Sequence, residues 1–228
     1  MDRNEESPQE SELSRRVREL AGEPALEHPW KGLEAVLAAD GIDRLRLIGY
    51  GSLVNAKSAS VTVAEQVARD AKPAMAFGAR RVFDYRMDEE NSRYLRPEEP
   101  DALALLNVHL TGDPDDCLNG VVIETPLGDL PALREREADY SLARIAFRFW
   151  EGEEIHSAWI LTCAEGSRGG PSRLQSNLTP NLDYYRVCRD GAASFGPAFL
   201  DAWLDTTYLG DATTTVRDWE RDASARFG

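Results

Sequence analysis

Up to Gly22 the chain carries few apolar positions among many Glu and Arg, and no aromatic residue. Such a segment has too little apolar surface to offset its ordering entropy, so residues 1–22 read as a flexible charged arm, with a short amphipathic helix around Leu13–Leu20 as the alternative. After Pro29 and Trp30, Leu33, Val36 and Leu37 recur at helical spacing, and Gly41 is placed to end that helix. Leu45–Tyr50 condenses into a short apolar strand cut off by Gly51 and Ser52. From Ser60 to Lys72, the positions Val61, Ala64 and Val67 share one helical face, and Pro73 is the expected stop.

Strand-like runs follow at Arg81–Tyr85, Ala104–Leu110, Gly120–Glu124, Ala143–Trp150 and Glu154–Cys163, most of them short and parted by turn residues. Their succession predicts an α+β fold, a mixed, curled β-sheet or small barrel flanked by helices, rather than a helical bundle. Gly128-Asp129-Leu130-Pro131 reads as a helix start with Asp129 as N-cap, and that helix runs to about Tyr140. Gly166–Thr179 reads as a loop, and Asn181–Gly191 and Pro197–Leu204 as helices. The chain then divides into an arm (1–22), one domain (23–206) and a C-terminal tail (207–228).

Charge narrows the functional classes. A formal net charge of −14 at pH 7 repels phosphate backbones and anionic headgroups, so neither nucleic acid nor a membrane is an expected partner. Solubility or a saline habitat each accounts for such acidity. No apolar run approaches bilayer length and no signal-peptide h-region opens the chain, which predicts a soluble protein. Cys117, Cys163 and Cys188 lie in no metal-ligand or disulfide spacing and fit a reducing cytoplasm. His28, His109 and His156 have no partner at ligand or triad spacing.

Two groups of residues could carry chemistry. In Gly49-Tyr50-Gly51-Ser52-Leu53, small residues directly after a strand let the backbone turn and present consecutive N–H groups, a concavity suited to a carboxylate. An ordinary Gly-Ser turn is the competing explanation. Leu130, Leu133, Glu137 and Tyr140 are spaced to share one helical face, so Glu137 is carried inward while Glu135 points nearly opposite. A carboxylate in partly apolar surroundings has a raised pKa and is a better base near neutrality. The alternatives are a structural Glu137 held by an arginine such as Arg81, or a frayed helix. GYGSL lacks the third glycine of a nucleophile elbow, which sets Ser52 aside as a nucleophile.

Together these motifs resemble the γ-glutamylcyclotransferase superfamily, which includes ChaC-type and AIG2-like proteins. Tyr50-Gly51-Ser52-Leu53 is similar to its YGSL element, Gly120-Val121-Val122-Ile123 to its GxVxx strand, and Leu133 to Tyr140 to its glutamate helix. Pro180 to Ala192 is similar to a late Pro, Tyr and Gly-Ala helix. The resemblance spans about residues 45–200. It implies a substrate cradle at Tyr50, Gly51, Ser52 and Leu53, with Tyr140 beside it, a catalytic Glu137, and neither cofactor nor metal. The implied reaction is release of 5-oxoproline and a free amine from a small γ-glutamyl amide or peptide. Val54-Asn55 stands where glutathione-acting ChaC proteins tend to carry a tryptophan. A non-catalytic binding module, or an amidohydrolase or amine transferase on the same scaffold, is the alternative.

Overall fold

The computed structural model describes residues 11–88, 94, 97, 99, 101–163 and 171–227; residues 1–10 of the expected arm and 166–170 of the expected loop lie outside them. The first elements are α1 (Glu12–Ala21), α2 (Leu33–Ala39) and β1 (Arg44–Gly49). A 3-10 turn at Ser52–Val54 leads to the short helices α3 (Ala56–Ala59) and α4 (Glu65–Arg69). Next come β2 (Lys72–Phe77), β3 (Ala79–Arg86), β4 (Ala104–Leu110) and β5 (Cys117–Pro126), then α5 (Leu130–Arg136), β6 (Ser141–Phe149) and β7 (His156–Thr162). The chain ends with α6 (Leu182–Ala193), α7 (Pro197–Asp205), β8 (Thr207–Leu209) and α8 (Val216–Phe227).

Five strands close a mixed barrel in the order β1-β5-β2-β6-β7, sealed by parallel pairing of β1 with β7. Leu47, Ile48, Val121, Phe147 and Ile160 are buried in its core. A second sheet, β4-β3-β8, lies beside it. This is the α+β barrel flanked by helices that the strand pattern predicts.

Several local expectations are corrected. The stretch 60–72 is not one helix: α3 and α4 flank a turn, Val61 is 78% exposed, and Pro73 lies inside β2 instead of ending a helix. Proline is tolerated there because a strand position facing away from its neighbour needs no donor; its carbonyl accepts from Trp150 at 2.9 Å. Val36 faces solvent, so α2 is anchored by Leu33 and Leu37 alone. Asp129 makes no capping bond, because the 3-10 turn Leu127–Asp129 already has helical dihedrals and leaves no extended N-cap position.

The two ends of the chain are woven into the core. α1 is capped by Ser11, whose side chain accepts from Ser14 N–H at 3.1 Å, and buries Val17 and Leu20 with Ala146 of β6. The expected tail supplies β8, parallel to β3, and α8, whose Val216 is buried and whose Trp219 meets Tyr185 edge-on at 5.2 Å between ring centroids. Among the described residues no helix is long and apolar enough to cross a membrane.

Deleting residues 1–22 is expected to preserve cooperative unfolding, because the barrel closes without α1. It should lower stability by about 2–4 kcal/mol, because Val17 and Leu20 and the surface they cover lose their burial. Urea titration checks this; loss of cooperativity would make α1 part of the folding unit.

Candidate active site

The cradle forms where β1 leaves the barrel. The first N–H to close the 3-10 turn is that of Val54, which donates to Gly51 O at 3.0 Å, so the N–H groups of Gly51, Ser52 and Leu53 precede the turn's own bonding. Gly51 is required by space: a Cβ there would lie 2.4 Å from Tyr184 Oη. Tyr184 reaches this position because α6 lies directly on the turn. Gly191 permits that approach, since a Cβ on it would meet Asn55 N at 2.7 Å, and Asn55 Nδ2 donates to Val187 O at 3.1 Å.

Opposite the cradle stands the end of α5. Leu130 and Leu133 are buried, Glu135 is exposed, and Glu137 faces inward with its side chain 12% exposed. The helix stops earlier than expected. Glu137 is its C-cap at φ −106° and ψ 32°, and Tyr140 follows in a turn closed by its N–H to Glu137 O at 3.0 Å.

A feature absent from the sequence reading is Arg136, whose side chain is 3% exposed. Its Nε donates to Glu137 Oε1 at 2.8 Å, Nη1 to Ser58 O at 2.8 Å and Thr62 Oγ1 at 3.0 Å, and Nη2 to Ser52 Oγ at 2.9 Å and Ser58 Oγ at 3.3 Å. All five guanidinium N–H groups are thereby satisfied. The arginine that holds Glu137 is its neighbour and not Arg81. The spacing rule for an ideal helix hid this, because residues one apart diverge on a helix but not where the second has left helical dihedrals.

Arg81 is fully buried, contacts no carboxylate among the described residues, and bonds the carbonyls of Tyr50, Asn119 and Trp203 and the side chains of Asn119, Thr206 and Thr207. Burial brings its pKa down to about 9. One contact bears on the cradle: Nη1 donates to Tyr50 O at 3.3 Å. In a trans peptide the C=O and N–H point in opposite directions, so this cation polarises the Gly51 N–H on the far side of the same peptide.

Tyr50, Gly51, Ser52, Leu53, Glu137 and Tyr140 all line one narrow inner pocket of ≈ 40 Å³, together with Ile48, Leu106, Leu161 and Tyr184. Six residues singled out in the sequence are thus brought together. Tyr140 Oη donates to Leu106 O at 3.1 Å, which fixes its ring. Burial pushes the phenols of Tyr50, Tyr140 and Tyr184 well above their ordinary range, with the Glu137 carboxylate adding to the shift at Tyr50 and Tyr140. The tyrosines stay protonated as donors, and among the described residues Glu137 is the only carboxylate on this pocket. Nothing local to α6 in the sequence signals that Tyr184 meets Gly51.

No known protein-family profile matches the chain, and no curated protein matches it. Among solved structures, the crystal structure of YkqA from Bacillus subtilis aligns with 74% of this chain and 55% of its own, at 15% identity and a TM-score of 0.53. The chain therefore spans about half the length of that protein. The crystal structure of a γ-glutamyl cyclotransferase specific to glutathione from yeast aligns with 72% of this chain and 97% of its own, at 14% identity and a TM-score of 0.46. A solution structure of At5g39720.1 from Arabidopsis thaliana aligns with 72% and 95%, at 12% identity and a TM-score of 0.40. The likeness to YkqA shows a shared fold.

Arg136→Met is expected to destabilise the protein by about 3–5 kcal/mol, because it leaves Glu137 partly buried without its cation and Ser52 and Ser58 without their donor. Chemical denaturation measures this. A loss below about 1 kcal/mol, the range of a solvated surface pair, would contradict the clamp.

Proposed function

We propose that this chain, an α+β barrel that shares its fold with YkqA, is an enzyme that cyclises the γ-glutamyl group of a small amide or peptide, releasing 5-oxoproline and an amine. The observation that carries this reading is the placement of the Glu137 carboxylate and the Gly51-Ser52-Leu53 backbone on one inner pocket. A pocket that offers N–H donors at one wall and a single base at the other suits a substrate with an anionic end and a transferable proton.

The N–H groups of Gly51, Ser52 and Leu53 hold the substrate's α-carboxylate, with the Gly51 donor strengthened by Arg81 behind it. Tyr50 and Tyr140 shape the walls. Fixing that end folds the γ-glutamyl chain so that its α-nitrogen faces its own γ-carbonyl, and the reaction becomes the selection of a near-attack conformer. Glu137 takes the proton from the α-nitrogen as it bonds to the γ-carbon, and returns it to the departing nitrogen as the amide C–N bond breaks. Glu137 Oε1 is held by Arg136, and no hydrogen bond or ion pair engages Oε2 among the described residues. That oxygen is the proton carrier. The reaction forms no covalent enzyme intermediate and requires no cofactor.

Glu137→Gln is expected to lower turnover by roughly 10²–10⁴ while Gln still accepts from Arg136, so that its stability loss stays below that of removing the clamp. Glu135→Gln, on the exposed face of α5, should leave both unchanged. Thermal melts and 5-oxoproline release on the two variants provide the check. Full activity in Glu137→Gln would refute the assignment.

A further inference from the structure

The inner pocket opens into a wider chamber of ≈ 110 Å³ that shares Ser52, Glu137, Tyr140 and Tyr184 with it and adds Tyr85, Asp88, Arg136 and Asp139. The cradle fills the inner end, so the group attached beyond the γ-carbonyl extends into this chamber. Its charges are unevenly paired. Arg136 is bonded to Glu137 at 2.8 Å, and Arg173 to Asp88 at 2.5 Å. Asp139 has no ion-pair partner among the described residues.

A second and independent feature lies beside it. Tyr85 is 2% exposed, and its Oη, on the chamber wall beside Asp139, makes no hydrogen bond of ordinary geometry. A buried hydroxyl left without a partner costs free energy, so its retention calls for a ligand. Burial first, and then the neighbouring Asp139, keep this phenol protonated. The ring is held in place by Tyr140, 5.2 Å away between centroids.

We propose that Asp139 and Tyr85 form a subsite for an ammonium group on the leaving amine, so that the preferred substrate is a γ-glutamyl amide of a diamine or another cationic amine. An ammonium offers N–H donors to both the Asp139 carboxylate and the Tyr85 oxygen, and gives Asp139 a direct ion pair where Arg173 acts on it only at longer range. A leaving group ending in a carboxylate is disfavoured there, since Asp139 repels it and Arg173 is already engaged by Asp88. The proposal rests on the cyclotransferase reading for the chemistry but on the chamber's own groups for the selectivity.

Three γ-glutamyl amides of similar length test it, made from diaminobutane, pentylamine and aminobutyrate, and therefore ending in an ammonium, a methyl and a carboxylate. The ammonium compound should give a kcat/KM about tenfold or more above the other two, a gain expected for one charge-assisted contact and expressed in KM. Asp139→Asn should abolish that preference and leave turnover of the methyl compound unchanged. Tyr85→Phe should reduce the preference with little change in melting temperature, because the hydroxyl it removes lies beside Asp139 but forms no hydrogen bond of ordinary geometry within the protein. Equal KM values for the three compounds, or a preference that survives Asp139→Asn, would overturn the subsite. Calorimetric binding of the same compounds to Glu137→Gln protein separates the two layers of the argument. Preferential binding of the ammonium compound without 5-oxoproline from the wild type keeps the subsite and defeats the cyclotransferase reading; 5-oxoproline from all three at equal KM does the reverse.

Discussion

The guanidinium of Arg136 joins two parts of the chain that the fold alone would leave independent. It grips Glu137 on one side and Ser52, Ser58 and Thr62 on the other, so the acid at the end of α5 and the turn at the end of β1 are fixed by one planar group. Four of its five donors go to neutral acceptors, which leaves the Glu137 carboxylate as the only anion it contacts. A charge pair this buried is costly to desolvate, and the compensation lies in the full set of hydrogen bonds. The same pair explains why a structural and a chemical role for Glu137 do not exclude each other: one oxygen is anchored, and the other engages no partner among the described residues.

A second buried arginine does comparable work from behind. Arg81 ties β3 to the barrel through Asn119, to α7 through Trp203 and to the C-terminal segment through Thr206 and Thr207. Its contact with Tyr50 O then transmits positive charge to the cradle through a single peptide. The second sheet lines the pocket with Leu106, and the chain's last elements contribute to the site through Arg81 without lining it. They place a cation where an anionic substrate end can be stabilised by backbone donors.

Much of this was legible in the sequence because it is written in local periodicity. Ala104–Leu110 was bounded correctly, Asn181 caps α6 by accepting from Tyr184 N–H at 3.0 Å, and the inward face of Leu130, Leu133 and Glu137 follows from helical spacing alone. What escaped is what spacing cannot express. In β2 the inward residues are Ala74 and Ala76, which give no β-branched or aromatic signal, and Pro73 imitates a helix stop. β8 is three residues long and exists only because β3 offers it an edge. Arg136 reads as an ordinary exposed helix residue until the helix is seen to end there, and Asp139 and Tyr85 meet only through the packing of β3 against the turn after α5.

The central claim is that the bond-forming nucleophile belongs to the substrate. Running the reaction on a γ-glutamyl amide in water enriched with heavy oxygen, with mass analysis of the products, tests it directly. Intramolecular attack predicts 5-oxoproline that carries no solvent oxygen, together with the free amine. Glutamate labelled with one solvent oxygen would show that water attacks the γ-carbonyl, and would contradict the mechanism assigned to Glu137 and the cradle.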